Sequence, residues 1–437
     1  MSEGCPCTVN EVDFFDAGLK QVVLDNGTWV DVHPLNNVSS DGPIEFQVNG
    51  SSDECIDVNQ TLLKFQVKIV NAAGDADLAA TDLVGPINNW MHSMFSDVIL
   101  TINGTTVEGG NHHYPYKAYF SNLLLHGKAA KETQMQAVGW FKDTAQHMND
   151  DHTTNKGFNK RKTLCAQSKV VELAGPLLLD FMMQNKYLIP NTDFTLKFNR
   201  SKPEFQCMIK TADTQAGRAT AVKVKIVNAI LYVRRVKALP SFLLEQEDKL
   251  NFENAKYPLQ RTEMTTYTIP SGSMSHTKEH VYKGLMPKAI FVAFVQNNAY
   301  NGSYSENPFH FQNFDIDHLA LYREGESVPF RPFTPDFDNN LYIREYMSLM
   351  QSLDIFNKNE DIDLTMNDFA NGYAVFGFNL TPDLSIAGHA QTGRDGNCRF
   401  EVRFKNAITV TLNVIVMGIF DGRIEITKQR HVLADWK

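Results

Sequence analysis

Hydrophobic and polar residues alternate along several stretches of the chain, which is the pattern of β-strands with one buried face. The alternation is unbroken from Leu63 to Ile69, from Phe194 to Phe198 and from Cys398 to Phe404. Between Ile408 and Val416 every second residue is apolar as well, so these residues line one predicted face. Strands with one wet and one dry face are typical of antiparallel sheets. The chain is therefore predicted to be mainly β-sandwich.

Helical periodicity is confined to a few stretches. Apolar residues recur at helical spacing from Tyr116 to Leu124, and Gly127 stands where a C-terminal cap belongs. A second amphipathic run extends from Tyr342 to Leu353, after three candidate N-caps at 338–340. A shorter helix is predicted over 131–141. These helices lie in connections between predicted strands.

The predicted elements repeat after roughly 200 residues, about the size of one eight-stranded sandwich. In the first half, a strand over 98–102 turns at Asn103-Gly104 and leads into the helix at Tyr116. In the second half, a strand over 316–322 turns near Glu324-Gly325 and leads through a Pro-rich loop, Pro329–Pro335, into the other long helix. We expect this loop to blunt an exposed sheet edge. Strong alternating strands close both halves.

The repeat predicts two β-sandwiches in tandem. The boundaries that follow are an N-terminal tail over 1–26, a first sandwich over 27–240 and a second sandwich over 241–437. The joint falls within Leu239–Lys256, where Pro240 and a charged cluster interrupt the hydrophobic pattern. The alternative is one sandwich followed by an unrelated second domain.

Composition excludes several classes of protein. The chain has 437 residues, of which 43% are hydrophobic and 21% charged, as in ordinary globular proteins. Its net charge is −9, and its longest basic run is Lys160-Arg161-Lys162, so direct nucleic-acid binding is not expected. No apolar run reaches the ~18 residues of a membrane-spanning helix, and the polar N-terminus does not resemble a signal peptide.

The cysteines are too few for a disulfide framework in so long a chain. We expect them to be reduced and the protein to be made in the cytosol or nucleus. The six cysteines are Cys5, Cys7, Cys55, Cys165, Cys207 and Cys398.

Two histidine pairs are candidate metal ligands. His112-His113 follows a glycine turn, and nothing nearby supplies further ligands at a suitable spacing. His276 and His280 have helical spacing, but the Pro, Gly and Ser residues before them favour a loop, and no Glu follows the first histidine. Both pairs are predicted to be ordinary loop histidines.

Two other clusters are equally weak as metal or redox sites. Cys5-Pro6-Cys7 has one residue between the cysteines where a typical pair has two. Asp361-Ile362-Asp363, with Asp354 and Asp368 nearby, lacks the glycine and closing glutamate of a calcium loop, so a solvated acidic loop is predicted. The chain also has no nucleophile elbow, phosphate-binding loop or dinucleotide fingerprint. No catalytic, cofactor-binding or metal-ligating residues are therefore predicted, and no cofactor.

Several blocks in the first half form a recognisable set. They are Gly27–Leu35, Asp41–Phe46, Ile56–Thr61 running into Lys64–Val70, Pro86–Ser96 with the strand that ends at Asn103-Gly104, Tyr114–Tyr119 and Trp140–Ala145. Together they resemble the capsid (hexon) protein of Maverick/Polinton elements and adintoviruses. The second half resembles this family in layout more than in residues.

The resemblance implies an all-β fold of two tandem eight-stranded antiparallel jelly rolls, with short helices in the long connections. It also implies a non-enzymatic major capsid protein whose homotrimers have a pseudo-hexagonal outline and tile an icosahedral shell. Partners would be further copies and a penton or minor capsid protein. The contacts of the N-terminal tail, including any with a membrane, stay open.

Two functions of other classes compete with this interpretation. A lectin-like, carbohydrate-binding pair of sandwiches would be a monomer or dimer with an exposed aromatic platform. The aromatic residues of the alternating strands instead fall on the predicted core face; they are Phe65, Phe194, Phe198, Phe400 and Phe404. A metal-bearing jelly-roll enzyme of the cupin type would need histidines clustered inside one barrel.

Overall fold

The computed structural model describes residues 21, 23–38, 41–210, 220–386 and 389–435. Cys5-Pro6-Cys7 and most of the predicted tail lie outside this part of the chain. The strands of the first half are β1 Leu24–Val32, β2 Ile44–Val48, β3 Glu54–Asn71, β4 Val84–Pro86, β5 Phe95–Ile102, β6 Thr105–Glu108, β7 Val171–Pro176, β8 Phe194–Arg200, β9 Cys207–Ile209 and β10 Val222–Ala238.

The second half contains the remaining described strands. They are β11 Ala255–Ile269, β12 Ser275–Lys278, β13 Lys283–Leu285, β14 Ala289–Gln296, β15 Ile316–Arg323, β16 Glu326–Phe333, β17 Val375–Asn379, β18 Asp395–Phe404, β19 Leu412–Ile426 and β20 Val432–Asp435.

Short helices occupy the connections. The α-helices are α1 Trp90–Ser93, α2 Tyr114–Leu125, α3 Lys128–Glu132, α4 Lys156–Leu164, α5 Pro203–Gln206, α6 Pro240–Lys249, α7 Asn297–Asn301, α8 Ile343–Ser352 and α9 Met366–Ala370, and 3-10 helices cover Gln134–Val138 and Ala166–Ser168.

The strand order is the same in both halves. The first half has sheets β1-β10-β3-β7 and β2-β8-β5-β6, and the second has β11-β19-β14-β17 and β12-β18-β15-β16. If the eight main strands of each half are lettered B to I along the chain, both halves have the orders B-I-D-G and C-H-E-F, which is jelly-roll topology. The short strands β4 and β9 pair with each other, while β13 and β20 extend the second half's sheets. The predicted fold of two tandem antiparallel jelly rolls is confirmed.

The predicted core faces are confirmed by burial and ring contacts. Alternate residues of β3, β8 and β18 are buried, as the sequence pattern requires. In the first jelly roll Phe65 packs against Phe198 across the sandwich, with ring centroids 6.4 Å apart. In the second, Phe294 lies 6.4 Å from both Phe400 and Phe404.

The prediction of one wet face is wrong for strands β14 and β19 of the second half's B-I-D-G sheet. Strand β19 begins at Leu412, four residues after the predicted start, and its residues 412–418 are all buried. Strand β14 is likewise buried from Ala289 to Val295. Part of the reason is α8, which lies against the outer face of β17. There a Cβ added to Gly377 would stand 2.9 Å from Ser352 and 3.0 Å from Leu349.

The two long helices are confirmed, but their predicted caps are not. Helix α2 ends in the extended residue His126, and Gly127 has an ordinary φ of −78° because it begins α3. Helix α8 begins after Tyr342 without a side-chain cap. Asn339 instead donates to the carboxylate of Asp336, within the preceding turn. The third predicted helix is divided at Thr133 into α3 and a 3-10 turn.

The Pro-rich segment is partly strand and not wholly loop. Pro329 and Pro332 lie within β16, the edge strand of its sheet. A proline has no N–H to offer a further strand, so it is tolerated at an edge and weakens pairing there. The segment therefore occupies the sheet edge that it was expected to blunt.

The longest connections between the main strands leave them at one end of each jelly roll. They are the D–E connections (72–94 and 297–315), the F–G connections (109–170 and 334–374) and, in its described residues 201–210 and 220–221, the H–I connection of the first half. The opposite end carries the start of β1 and helix α6, which links the halves. None of the residues of α6 is buried. These connections bring aromatic and charged side chains of the two halves into contact.

Candidate functional site: the seam between the jelly rolls

The contact between the two jelly rolls, here called the seam, is built around helix α2. Ten of the twelve residues of this helix are buried. Its aromatic residues pack against the D–E connection of the second half: Tyr116 on Tyr300 (ring centroids 5.4 Å apart), Tyr119 on Phe309 (3.9 Å) and Phe120 on Phe311 (5.3 Å). Aromatic pairs contribute about 0.5–1.5 kcal/mol each beyond the area that they bury. The seam is therefore a hydrophobic core shared by both halves.

A buried ion pair lies beside this aromatic core. The guanidinium of Arg161, on α4, donates to Asp143 Oδ1 at 2.7 Å, and both side chains are about 1% exposed. Two residues of the second half complete the network. Asn307 donates to Asp143 Oδ2 at 3.0 Å, and the hydroxyl of Tyr373 donates to the Asp143 main-chain oxygen at 2.7 Å. Asp143 therefore joins the two halves through two hydrogen bonds, while a third, from Arg161, holds it within the first half.

Lysines of the first half hold the acidic segment of the second. Lys142 Nζ lies 2.9 Å from Asp368 and 3.6 Å from Asp363. Lys131 Nζ donates to the main-chain oxygens of Leu123 (2.7 Å) and Ile362 (2.6 Å). Burial lowers the pKa of Lys131 to about 7.

The acidic segment is consequently only in part the solvated loop that the sequence predicts: Asp361 is exposed, but two other aspartates are not. The side chains of Asp363 and Asp368 are only 17% and 15% exposed, because Lys142 contacts both. Asp361 accepts from the main-chain N–H of Lys128 at 2.8 Å. Of the other predicted candidates in this region, Asp354 pairs with Lys358 on the surface.

A second charged cluster lies where strand F of the first half meets the second half. Lys117 Nζ contacts the carboxylates of Glu108 and, at 2.7 Å, Asp180. The other oxygen of Asp180 accepts from the main-chain N–H of Thr262 in β11, at 2.7 Å. One lysine thus contacts two carboxylates, of which Asp180 is buried and Glu108 is 16% exposed, and the cluster contacts the edge strand of the second jelly roll.

This cluster makes the stability of the protein depend on pH. Burial, and then repulsion by Asp180, raises the pKa of Glu108 to about 7, although Lys117 opposes the shift. Tyr114, on the same helix as Lys117, is a further titratable group close to Glu108. The folded protein keeps the Glu108 proton up to about pH 7, whereas an unfolded glutamate releases it near its ordinary pKa of 4.5. The stabilisation that Glu108 contributes therefore falls as pH rises from about 4.5 to 7.

Glu108→Gln, which mimics the protonated acid, tests this dependence. We expect the unfolding free energy of the variant, relative to the natural protein, to increase by about 1–3 kcal/mol between pH 5 and pH 8. Urea denaturation at both pH values measures the difference. Glu45→Gln, which breaks an exposed pair with Lys197, is the control and should show no such change. An equal effect of Glu108→Gln at both pH values would contradict the assignment.

The structure does not bring the predicted metal candidates together. His112 is exposed, with a φ of 58°, and His113 is the residue before α2. His276 lies in β12 and stacks on Tyr267, while His280 bonds Asn397 across the sheet. Within the described ranges, no group of three or more His, Cys, Asp or Glu residues could hold a metal ion. Of the described helices, none has the length and apolar character to cross a membrane.

The cysteines within the described part of the chain are Cys55, Cys165, Cys207 and Cys398, all with free thiols. Burial raises the pKa of Cys165 to about 12, so this thiol stays protonated at neutral pH.

Sequence reasoning missed the polar residues of the seam. Arg161 was noted only as part of a basic run, and Asp143 only as part of the block Trp140–Ala145 that resembles a known family. Lys117 lies in the block Tyr114–Tyr119 of the same family, and Asn307 had no signal in the sequence. The available signal was the polar residue inside an otherwise apolar family block, which a core would not tolerate without a partner.

Known proteins are similar to this chain in sequence and in fold. No family model matches the chain. A sequence relative is the uncharacterized protein F54H12.2 of Caenorhabditis elegans, 26% identical over 427 residues, with 95% of this chain and 98% of that protein covered.

Solved viral structures share the fold along nearly the whole chain. A chain of the cryo-EM structure of the Sputnik virophage matches with a TM-score of 0.64 and 14% identity, covering 99% of this chain and 93% of its own. The Faustovirus major capsid protein matches with a TM-score of 0.55 and 9% identity (95% and 92% covered). The mavirus major capsid protein matches with a TM-score of 0.51 and 12% identity (99% and 95% covered). The chain therefore has the double jelly-roll fold of these viral major capsid proteins.

Proposed function

We propose that this protein is the major capsid protein of a virus or virus-like element, and that its role is structural. The observation that carries the proposal is the jelly-roll strand order, present twice in one chain and joined by a buried seam. Major capsid proteins of this fold cover the same length of chain. The family blocks between Gly27 and Ala145 support the Polinton and adintovirus type in particular.

The proposed building block is a homotrimer. Two similar jelly rolls side by side, repeated three times about an axis, make a near-hexagonal unit from one gene product, and hexagonal units tile a surface with few gaps. Such trimers would form an icosahedral shell together with a penton or minor capsid protein. The chain would be made in the host cytoplasm and assembled there or in the nucleus.

The domain boundaries stay a prediction. We propose a first jelly roll over 27–240 and a second over 241–437, preceded by a tail over 1–26. The described strands support a division near Pro240, because β10 ends at Ala238 and β11 begins at Ala255. Limited proteolysis would test it, with a first cleavage expected near the exposed helix α6.

The mass of the purified protein in solution tests the proposed function. Light scattering coupled to gel filtration should give roughly 150 kDa, since three chains of 49.3 kDa associate. Negative-stain microscopy should show particles with a six-sided outline. A stable monomer at micromolar concentration would contradict the proposal, and binding to a glycan array by that monomer would support the lectin-like alternative.

A further inference from the structure

Lys117 lies between two carboxylates in a poorly hydrated part of the first jelly roll. Its Nζ is 2.7 Å from Asp180 Oδ1 and also contacts a carboxylate oxygen of Glu108. The three side chains come from separate elements: Glu108 ends β6, Lys117 is on α2 and Asp180 is in the G–H connection. The side chains of Lys117 and Asp180 are 9% and 8% exposed, and every residue from 177 to 182 is buried. An amine is thus held against a carboxyl group away from bulk water.

The other oxygen of Asp180 has a fixed partner. Asp180 Oδ2 accepts from the main-chain N–H of Thr262 at 2.7 Å. When an amine attacks a carboxyl carbon, negative charge develops on the oxygen that stays, and a main-chain N–H aimed at that oxygen stabilises it. The N–H of Thr262 is in the right place to do so. Glu108 lies near the N–H of Phe181, the residue after Asp180, so all three reacting groups are close together.

The cluster also holds the protons that amide formation requires. Burial keeps Glu108 protonated up to about pH 7. The charged pair of Lys117 and Asp180 then differs from an amine beside a carboxylic acid only in the position of one proton. Burial favours the neutral amine, whereas attraction by Asp180 and Glu108 raises the pKa of Lys117 overall. The neutral pair is therefore a minor state, and a reaction through it should be slow.

We propose that Lys117 and Asp180 form an isopeptide bond, an amide between their side chains, with Glu108 as the catalytic acid and base. The Nζ of Lys117 attacks Cγ of Asp180, while Glu108 takes a proton from Nζ and gives its own to the leaving Oδ1. A C–N bond forms, a C–O bond breaks and one water leaves, so no oxidant, reductant or cofactor takes part. Oδ2 becomes the carbonyl oxygen of the new amide, and Glu108 ends protonated, as it began.

Two other lysines meet only part of these conditions. Lys142 also contacts two carboxylates, but its side chain is 24% exposed, and its distance to Asp363 is 3.6 Å. Lys288 is 5% exposed, but its ion pair is with the single carboxylate of Asp421. Of these three lysines, Lys117 alone combines deep burial with two carboxylates at close contact.

The bond closes a loop that contains most of the F–G connection. This part of the chain carries the buried pair of Asp143 and Arg161. A covalent tie between α2 and the G–H connection restricts the unfolded chain, as a disulfide does. It therefore secures the first half's side of the seam, a role that goes beyond the proposed function and does not depend on it. The pH dependence that Glu108 causes applies to the chain before this bond forms.

Mass spectrometry of the denatured, purified protein tests the inference. The natural chain should be about 18 Da lighter than its sequence mass, because one water has left. Trypsin should leave Lys117 uncut, and the peptide that contains it should be joined to the one that contains Asp180. Lys117→Arg keeps the positive charge but supplies no amine, so this variant should have its full mass. Glu108→Gln should form the bond about 100-fold more slowly or less, the usual effect of losing a general acid or base.

Lys288→Arg is the matched control. It removes a buried lysine amine that lies beside one carboxylate, so this variant should stay as light as the natural protein. Far-UV circular dichroism checks that each variant is folded. A natural protein of full mass that trypsin cleaves at Lys117 would overturn the inference, as would a water loss that persists in Lys117→Arg. Bond formation at the natural rate in Glu108→Gln would contradict the role of Glu108. None of these results bears on the trimer, because the mass in solution tests the proposed function separately.

Discussion

Phe400→Asp is expected to abolish soluble, folded protein. Phe400 is 1% exposed in β18, and its ring lies 6.4 Å from that of Phe294 on the opposite sheet. Removing a buried phenylalanine costs about 3–5 kcal/mol, and a carboxylate in the same place adds several more unless it is protonated. The sum is comparable to the whole stability of a typical domain, about 5–15 kcal/mol. Soluble expression and gel filtration provide the measurement.

Glu401→Asp is the control for this substitution. It places the same aspartate at the next position of the same strand, where the side chain is 37% exposed on the outer face. This variant should express and assemble like the natural protein. If Phe400→Asp assembles normally as well, then the inward facing of β18 is wrong.

Asp143→Ala is expected to lower the unfolding free energy by about 3–5 kcal/mol, the cost of breaking a buried ion pair by removing one partner. The substitution leaves the guanidinium of Arg161 buried with two main-chain acceptors, Pro86 and Phe141, and no carboxylate. It also removes the acceptor of Asn307 across the seam. Denaturation followed by circular dichroism measures the loss.

Asp317→Ala breaks a matched pair on the surface. Asp317 contacts Arg403 at 2.9 Å, a distance close to that of the buried pair, but both side chains are more than one third exposed. Exposed pairs contribute about 0–1 kcal/mol, so this variant should be nearly as stable as the natural protein. Equal losses for the two substitutions would show that the seam network does not stabilise the fold.

The strands were predictable because their signal is local. In β18, the alternation from Cys398 to Phe404 indicates which side chains face inward, because successive side chains of a strand point to opposite faces of the sheet. The repeat of a strand, a tight turn and a helix then predicted two sandwiches in tandem. The same rule failed at β19. There the outer face of the sheet is covered as well, so residues 412–418 are buried on both faces of the strand.

The seam could not be predicted because its signal is not local. Asp143 and Asn307 are 164 residues apart along the chain, and neither has neighbours that suggest a bond. Helix α2 was predicted as amphipathic, which assumes one solvent face, yet a second jelly roll covers it. The predicted caps of α2 and α8 failed for a related reason, since the packing of adjacent segments decides where those helices end.

Helix α2 also bears on the order in which the chain can be made. A ribosome releases the first jelly roll before the second exists, and at that moment Tyr116, Tyr119 and Phe120 lack the aromatic partners that the second half supplies. Exposed apolar surface on a partly synthesised chain is a substrate for chaperones and for aggregation. Production of this protein in a heterologous host should therefore depend on chaperone supply, and a stop codon near residue 240 should yield insoluble product.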